Sequence, residues 1–217
     1  MKFFTKKRVV LFLLFIFPLI CFLILSTGEN NFKKLPVITE NVQDVKKLNL
    51  ENKVSVVCFL GNDVNNLRTG ILNLNEKIYK KFIDYNDFQI IALYSKEAET
   101  DALQLKEDIA TYTNMIKWRF LTLESSEIKE FYNSLMLKDT LQNFSSTKAF
   151  LIDKKLNLRG RTNDNDFDNG LLVGYNLNSV SELNSKLKDD IKVLFYEYYA
   201  AFKNRNKNKA DRKEVGL

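Results

Sequence analysis

The sequence of 217 residues contains no histidine, and this absence excludes more chemistry than any other feature of its composition. Without an imidazole, the chain cannot form a Ser-His-Asp or Cys-His catalytic group, a histidine metal site or a histidine proton relay. Two cysteines and three methionines provide few ligands for soft metal ions such as Cu(I). Two prolines and seven glycines argue against a collagen-like or linker-dominated chain. The length instead predicts one domain with an accessory segment.

The N-terminal segment combines a basic tip with a long apolar run. Four Lys or Arg residues lie within residues 1–8, and the 17 residues Val9–Leu25 carry no charge. A helix of that length spans about 25 Å, which is just enough for the hydrocarbon core of a bilayer. We therefore predict a transmembrane anchor over residues 9–26 that contacts membrane lipid. The positive-inside rule places residues 1–8 in the cytoplasm and the remainder of the chain outside it.

Two other interpretations of this segment stay open. A cleaved signal peptide has a shorter apolar region and a small-residue cleavage site, of which Leu25–Gly28 is a poor version. A lipoprotein signal would require a small residue before Cys21, where the sequence has Ile20. In each of these cases the rest of the chain is exported.

The net charge of +6 is concentrated at the two ends of the chain. Residues 1–8 and residues 203–217 each contribute +4, so that the intervening 194 residues sum to −2. This distribution argues against a nucleic-acid-binding surface. We predict that residues 204–217 form a solvated basic tail, with contact to anionic lipid or an acidic partner as the alternative.

Hydrophobic periodicity predicts a regular domain over residues 53–203, after a polar tether at 27–52 in which Leu35–Ile38 could form a short extended contact. The last helix begins with a capping box, Ser179–Glu182. The predicted order is a strand at 53–60, a helix at 66–85, a strand at 88–95, a helix at 98–112, a strand at 117–123, a helix at 126–137, a hairpin at 149–153 and 158–161, and a final helix at 183–201.

This order predicts an α/β fold of three layers, in which helices cover both faces of a central sheet. A terminal hairpin followed by a C-terminal helix is typical of a thioredoxin-like arrangement. The predicted fold is therefore thioredoxin-like with an N-terminal transmembrane helix.

The anchor, the element order and the stretch SSTKAFLIDKKLNLRGR (residues 145–161) together resemble the Sco/SenC family. That family consists of membrane-anchored, thioredoxin-fold copper chaperones of cytochrome c oxidase assembly. The ending GYNLNSVSELNSKLKDDIKVLFYEYYAAFK also resembles uncharacterised exported bacterial proteins that are distantly related to the family. The resemblance covers about residues 53–203. It implies a single-pass protein of the bacterial inner membrane whose C-terminal domain lies in the periplasm.

The chain departs from the family where the family's chemistry takes place. The family has a C-x-x-x-C motif between its first strand and first helix, but Gly61–Gly70 (GNDVNNLRTG) contains no cysteine. The family's histidine position falls at about Ser145, and the site of its cis-proline reads Thr147–Ala149. Copper binding at the family's site and dithiol exchange are therefore chemically unavailable, and we predict that the protein is not an enzyme.

Polar residues of the former active-site loop are the first candidates for binding a partner. Asn62, Asp63, Asn65 and Asn66 either cap the first helix or contact a protein partner at this surface. Cys58, the thiol of the exported domain, falls within a predicted buried strand, and we expect it to be an inert core residue.

A loop of alternating aspartates is the best candidate for a metal site. We predict no cofactor, except that Asp164, Asp166 and Asp168 could converge on a calcium ion. Arg159 and Arg161 stand just before the loop and could neutralise it. The sequence leaves three interpretations open, namely an ordered Arg–Asp turn, a partner-binding loop and a calcium site.

Four aromatic residues lie near the end of the last helix, and we expect them to pack against the domain with one edge exposed to solvent, or to form an interface. They are Tyr196, Tyr198, Tyr199 and Phe202.

Our leading hypothesis is a non-catalytic, membrane-anchored protein that acts through protein–protein contacts in assembly of a respiratory complex. The alternative is a calcium-binding or calcium-stabilised periplasmic module. A third hypothesis is an enzyme that uses carboxylates, Lys or Tyr for acid–base chemistry.

Overall fold

A computed structural model describes most of the chain and divides it into two compact units, Met1–Lys33 and Lys34–Leu217. The described residues are 6–26, 33–43, 45, 48–167 and 170–214. Parts of the predicted basic tip, tether and tail, and the candidate calcium ligand Asp168, lie outside the described residues.

The first unit is helical over its described part and has three segments. Helix α1 (Lys6–Leu11) is followed by a π-helical segment (Phe12–Ile16) and then by helix α2 (Phe17–Ser26). Apolar side chains of these helices, such as Leu14 and Phe22, are exposed. Among the residues that the structure describes, no helix has both the length and the apolar character needed to cross a membrane.

The second unit contains, within its described residues, one mixed sheet of seven strands with the order β1-β6-β5-β2-β3-β4 and with β7 beside β5. Strands β2, β3 and β4 are parallel, whereas β5 runs antiparallel to β2 and forms a hairpin with β6. The strands are β1 (Val37–Thr39), β2 (Val54–Gly61), β3 (Phe88–Ser95), β4 (Trp118–Leu123), β5 (Lys148–Ile152), β6 (Leu158–Arg159) and β7 (Tyr175–Asn176).

Helices follow the strands in the predicted order. The last helix is longer than predicted, because its backbone stays helical through the described part of the predicted tail. The helices of this unit are α3 (Val64–Leu74), which continues through a π-helical segment (Asn75–Tyr79) into α4 (Lys80–Phe82), then α5 (Glu99–Ala110), α6 (Ser125–Ser134), α7 (Val180–Glu182), a π-helical segment (Leu183–Leu187) and α8 (Lys188–Glu214).

The core has two parts, one on each face of the sheet. Helices α3, α5 and α8 pack on one face, and α6 packs on the other together with Val42, Leu48 and Leu50. Along β2, Val56 and Cys58 belong to the first part and Val57 and Phe59 to the second, and all four are fully buried. This alternation follows from the geometry of a strand covered on both faces. The predicted three-layer, thioredoxin-like α/β arrangement is thus confirmed.

Residues 34–50, which the sequence placed in the tether, belong to the second unit. Strand β1 pairs with β6 and overlaps the short extended contact predicted from the sequence. Leu48 and Leu50 are fully buried, and Gln89 Nε2 donates to the carbonyl oxygen of Asn49 at 3.0 Å. The second compact unit thus extends from Lys34 and includes residues that precede the domain predicted at 53–203. The two leucines are separated by one polar residue, but a single such pair is too short to predict a buried segment from hydrophobic patterning.

The predicted capping box before the last helix forms only in part. Ser179 Oγ accepts the backbone N–H of Glu182 at 3.2 Å, as expected. The carboxylate of Glu182 accepts the backbone N–H of Asn176 at 2.7 Å. Glu182 thus ties the start of the helical region to β7, and so stabilises the connection between the hairpin and α8.

Candidate functional site

The backbone between β2 and α3 meets the turn that precedes β5. Gly61 has a φ of +50°, and a Cβ at this position would lie 2.4 Å from the carbonyl oxygens of Asn143 and Phe144. Asn143 and Phe144 both have left-handed φ values, of 50° and 58°, and Ser145 N–H donates to Gln142 O at 2.8 Å. The close approach therefore requires glycine at position 61 and a tight turn at positions 142–145.

The carboxylate of Asp63 joins these two segments. Asp63 is the N-cap residue of α3, but its side chain makes no capping hydrogen bond to that helix. Its Oδ2 accepts from Ser145 Oγ at 3.2 Å and from Asn143 Nδ2 at 3.4 Å, and its Oδ1 accepts from Asn66 Nδ2 at 3.3 Å. We call Asp63, Asn66, Asn143 and Ser145 the Asp63 site. The site joins the loop that corresponds to the family's thiol loop, Gly61–Gly70, to Ser145, which corresponds to the family's histidine position.

The other two asparagines of the loop bond to neighbouring elements instead. Asn62 Oδ1 accepts a hydrogen bond from Ser95 Oγ at the end of β3. Asn65 Nδ2 donates to Asp101 Oδ2 in α5 at 2.9 Å. Asp63 and Asn66 thus bond to each other. The side chains of Asn62 and Asn65 bond instead to residues of β3 and α5.

An open polar cleft of about 760 Å³ lies beside the Asp63 site. Gln142 and Lys148 line it, and the Lys148 ammonium pairs with Asp139 at 2.9 Å. A second cleft of about 460 Å³ shares Lys148 and Asp139 and is also lined by apolar residues such as Leu172. The contribution of residues 138–142 could not be predicted from the sequence, because this segment has no periodic pattern and no recognisable motif.

The thiol of the second unit lies away from the cleft. Cys58 is fully buried in β2, and burial raises the pKa of its thiol well above the ordinary value. Cys21 belongs to the other compact unit. The groups at the Asp63 site are carboxylate, amide and hydroxyl, which are hard ligands. They do not fit the copper ion that the resemblance implies, because Cu(I) prefers thiolate and thioether sulfur.

Arg159, predicted as a candidate partner-binding residue, is only 7% exposed. Its guanidinium donates to Asp153 Oδ2 at 3.0 Å and to Glu197 Oε2 at 2.6 Å. Glu197 Oε1 also accepts the backbone N–H of Leu35 at 2.7 Å. The charge of Arg159 therefore holds the hairpin, α8 and the beginning of the unit together.

Arg161, the second candidate arginine, joins the strand region after β6 to α8. It donates to Asp190 through Nε at 2.8 Å and through Nη2 at 2.9 Å. The hydroxyl of Tyr175 donates to the same carboxylate at 2.6 Å, and Asp190 is 4% exposed. Burial raises the pKa of Asp190 above its ordinary value, although the bonds from Arg161 and Tyr175 oppose this shift.

The acidic loop forms ion pairs within the protein. Lys186 Nζ lies 2.6 Å from Asp164 Oδ1 and 2.7 Å from Asp166 Oδ2, and Arg161 Nη1 lies 3.5 Å from Asp164 Oδ2. Burial raises the pKa of Asp164, but hydrogen bonds from Lys186 and the Asp166 backbone, with the nearby positive charges, hold it below its ordinary value. We call Arg161, Asp164, Tyr175, Lys186 and Asp190 the Arg161 network.

This geometry corresponds to the ordered turn among the three interpretations of the acidic loop, with Lys186 as an additional cation. Among the residues that the structure describes, no three His, Cys, Asp or Glu side chains form a group that could hold a metal ion. The third aspartate, Asp168, lies outside the described residues, so calcium binding stays a prediction.

No protein-family model and no curated protein matches the chain. Solved structures that resemble it include a protein designated a protein disulfide isomerase from Bacteroides thetaiotaomicron, at 14% identity over 78% of this chain and 99% of that one, with a TM-score of 0.49. Another is BsSco, a member of the Sco family of cytochrome c oxidase assembly proteins, at 15% identity over 78% and 98%, with a TM-score of 0.47. A third is the thioredoxin domain of a thiol-disulfide oxidoreductase from Bacteroides vulgatus, at 18% identity over 60% and 86%, with a TM-score of 0.38. The chain thus resembles Sco and thioredoxin-like proteins.

Proposed function

We propose that the protein is a non-catalytic, membrane-anchored protein of thioredoxin-like fold that binds another protein at the Asp63 site and its adjoining cleft. The observation that carries this proposal is the set of hydrogen bonds between Asp63 and the turn at 142–145. These bonds give the site a preformed shape, and the cleft beside it presents exposed polar side chains. Such groups can exchange their bonds for those of a partner at little cost.

The absence of catalysis is supported by the groups at the site. Thiol chemistry requires an accessible thiolate, and burial of Cys58 with its raised thiol pKa opposes formation of one. Ser145 Oγ lies 3.2 Å from Asp63 Oδ2, but the sequence has no histidine that could take the proton of this hydroxyl and activate it as a nucleophile. We therefore assign the site to binding.

The membrane and respiratory parts of the proposal come from the sequence. The uncharged run Val9–Leu25 behind a basic tip supports an anchor in the bacterial inner membrane, with the second unit in the periplasm. The resemblance of residues 145–161 to the Sco/SenC family supports a partner that belongs to a respiratory membrane complex.

The test is site-specific photo-crosslinking of the tagged full-length protein in native membranes. A photoreactive phenylalanine analogue replaces Gln142, which lines the cleft, and the adducts are identified by mass spectrometry. Replacement of Gln104, an exposed glutamine on α5 outside the cleft, is the matched control. We expect a defined adduct from position 142 that is at least about tenfold weaker from position 104.

The identity of the crosslinked protein tests whether the partner belongs to a respiratory complex. Subunits or assembly factors of cytochrome oxidase would support the respiratory assignment, and a different stable complex would replace it. Equal adducts from both positions, or none from position 142, would contradict binding at the Asp63 site.

A further inference from the structure

The apolar face of α8 extends beyond the core that it covers. Ile191 and Leu194 are fully buried, and Tyr198 packs on the edge of the same core cluster. Phe202 follows Tyr198 by four residues, so it continues this face by one more turn. It is nevertheless 64% exposed, and Tyr199 beside it is 65% exposed. The helix thus presents two large aromatic side chains to solvent at the point where it leaves the core.

Positive charge begins immediately after these aromatic residues. The backbone of α8 remains helical to Glu214. Residues 203–214 have a net charge of +4, whereas residues 9–202 sum to −2. Within the second unit, the net positive charge is therefore confined to this helical extension. Its basic residues are Lys203, Arg205, Lys207, Lys209, Arg212 and Lys213.

Exposed aromatic rings followed by dispersed cations match the chemistry of an anionic bilayer surface. Tyr and Phe partition into the region between the headgroups and the acyl chains, and Lys and Arg are attracted to anionic headgroups. In the sequence KNRNKNK the cations alternate with asparagines, so that no two cations are adjacent in this stretch. A bilayer offers diffuse negative charge of this kind, whereas an acidic protein offers a few fixed carboxylates.

We propose that residues 199–214 form a second membrane contact, in which Tyr199 and Phe202 enter the headgroup region of an anionic phospholipid bilayer and the basic residues bind its phosphates. Charge complementarity and the exposed aromatic pair are the observations that support this contact. The proposal is independent of partner binding at the Asp63 site. It also differs from the proposed anchor at residues 9–26, because it requires anionic lipid.

The test is hydrogen–deuterium exchange of the full-length protein mixed with lipid nanodiscs of phosphatidylglycerol or of phosphatidylcholine. We expect the amides of residues 199–214 to exchange at least about fivefold more slowly with phosphatidylglycerol than with phosphatidylcholine. Raising the salt concentration to about 0.5 M should remove this protection, because the Debye length then falls to a few ångströms. Protection of residues 9–26 with both lipids reports the anchor separately.

Two matched variants test whether the protection by anionic lipid depends on the basic residues of this segment or on the positive charge of the protein in general. Combined replacement of Lys203, Arg205 and Lys207 by Gln should abolish the lipid-specific protection. The control variant replaces three exposed lysines elsewhere in the same unit, Lys96, Lys106 and Lys129, by Gln, and should retain it. Unchanged exchange of the amides in β2 and β3 verifies that each variant is folded.

Equal protection by the two lipids, or protection by neither, would overturn the proposal. Loss of protection in the control variant as large as in the tail variant would also overturn it. Protection by soluble poly-glutamate without protection by phosphatidylglycerol would assign residues 199–214 to an acidic polypeptide instead.

Discussion

The Asp63 site and the Arg161 network each contain polar residues that the sequence marked as candidates, but the two regions differ in burial and charge. At the Asp63 site one carboxylate accepts bonds of 3.2–3.4 Å from neutral donors in a half-exposed loop. In the Arg161 network, two cations and two buried aspartates are joined by contacts as short as 2.6 Å, at Lys186–Asp164 and Tyr175–Asp190.

This difference determines what each region can contribute. Buried charges without a partner are strongly unfavourable, so the members of the Arg161 network must remain paired with one another. Neutral hydrogen bonds at a half-exposed surface have a small net energy, so a binding partner can replace them. Polar residues thus stabilise the fold in the Arg161 network and are available for binding at the Asp63 site.

The largest effect is expected from removing the central carboxylate of the Arg161 network. Asp190→Ala leaves the Tyr175 hydroxyl without its acceptor and removes the bonds from Nε and Nη2 of Arg161 to the buried carboxylate. We expect it to lower the free energy of unfolding by about 3 kcal/mol. Asp189→Ala is the matched control, because the side chain of Asp189 is 53% exposed and its only ion pair among the described residues is to Lys192 at 3.3 Å. The control should change the same quantity by less than about 0.5 kcal/mol. Urea denaturation measures both, and equal effects would remove the distinction between the two regions.

A smaller effect is expected from the backbone of the Asp63 site. Gly61→Ala would place a Cβ 2.4 Å from two carbonyl oxygens at a φ of +50°, and should lower the free energy of unfolding by about 2 kcal/mol. Gly170→Ala also has a positive φ, but its nearest contact is 3.1 Å, and it should cost about 1 kcal/mol. The same denaturation experiment compares them. If Gly61→Ala is the milder change, the turn at 142–145 does not pack against Gly61 as described.

The smallest effect is expected from calcium. The Lys186 ammonium already pairs with Asp164 and Asp166, so calcium would have to displace it. We therefore expect millimolar calcium to change the melting temperature of the protein by less than about 1 °C. A rise of several degrees that Asp166→Ala abolishes would favour the calcium-binding alternative, and would show that Lys186 yields to the metal.

The buried strands and amphipathic helices could be predicted because their residues form local patterns. The largely apolar segment Phe88–Ser95 was predicted as a strand and coincides with β3. The spacing of Leu67, Ile71 and Leu74 predicted a helix, and these residues form the buried face of α3. Each signal depends on residues within one element, and so is visible without tertiary structure.

The ion pairs and the site partners could not be predicted, because they join distant segments. Arg161 and Asp190 are 29 positions apart, and nothing in the sequence near either residue indicates the other. The resemblance related the loop at Gly61–Gly70 to Ser145, and the structure places Asp63 of that loop 3.2 Å from Ser145. It gave no sign of Asn143, since the left-handed turn at Asn143 and Phe144 contains no glycine to mark it.

The hydrogen bond between the Leu35 amide and Glu197 has a consequence for synthesis of the protein, because its partners are 162 positions apart. Strands β2 and β3 are made early, but α8 and its side chains Ile191 and Leu194 reach their core face only when the ribosome has translated nearly the whole unit. At about 5–20 residues per second, this interval lasts on the order of ten seconds. The part of this apolar face that α8 covers therefore stays uncovered during most of translation, and we expect the nascent chain to depend on holdase chaperones until α8 emerges.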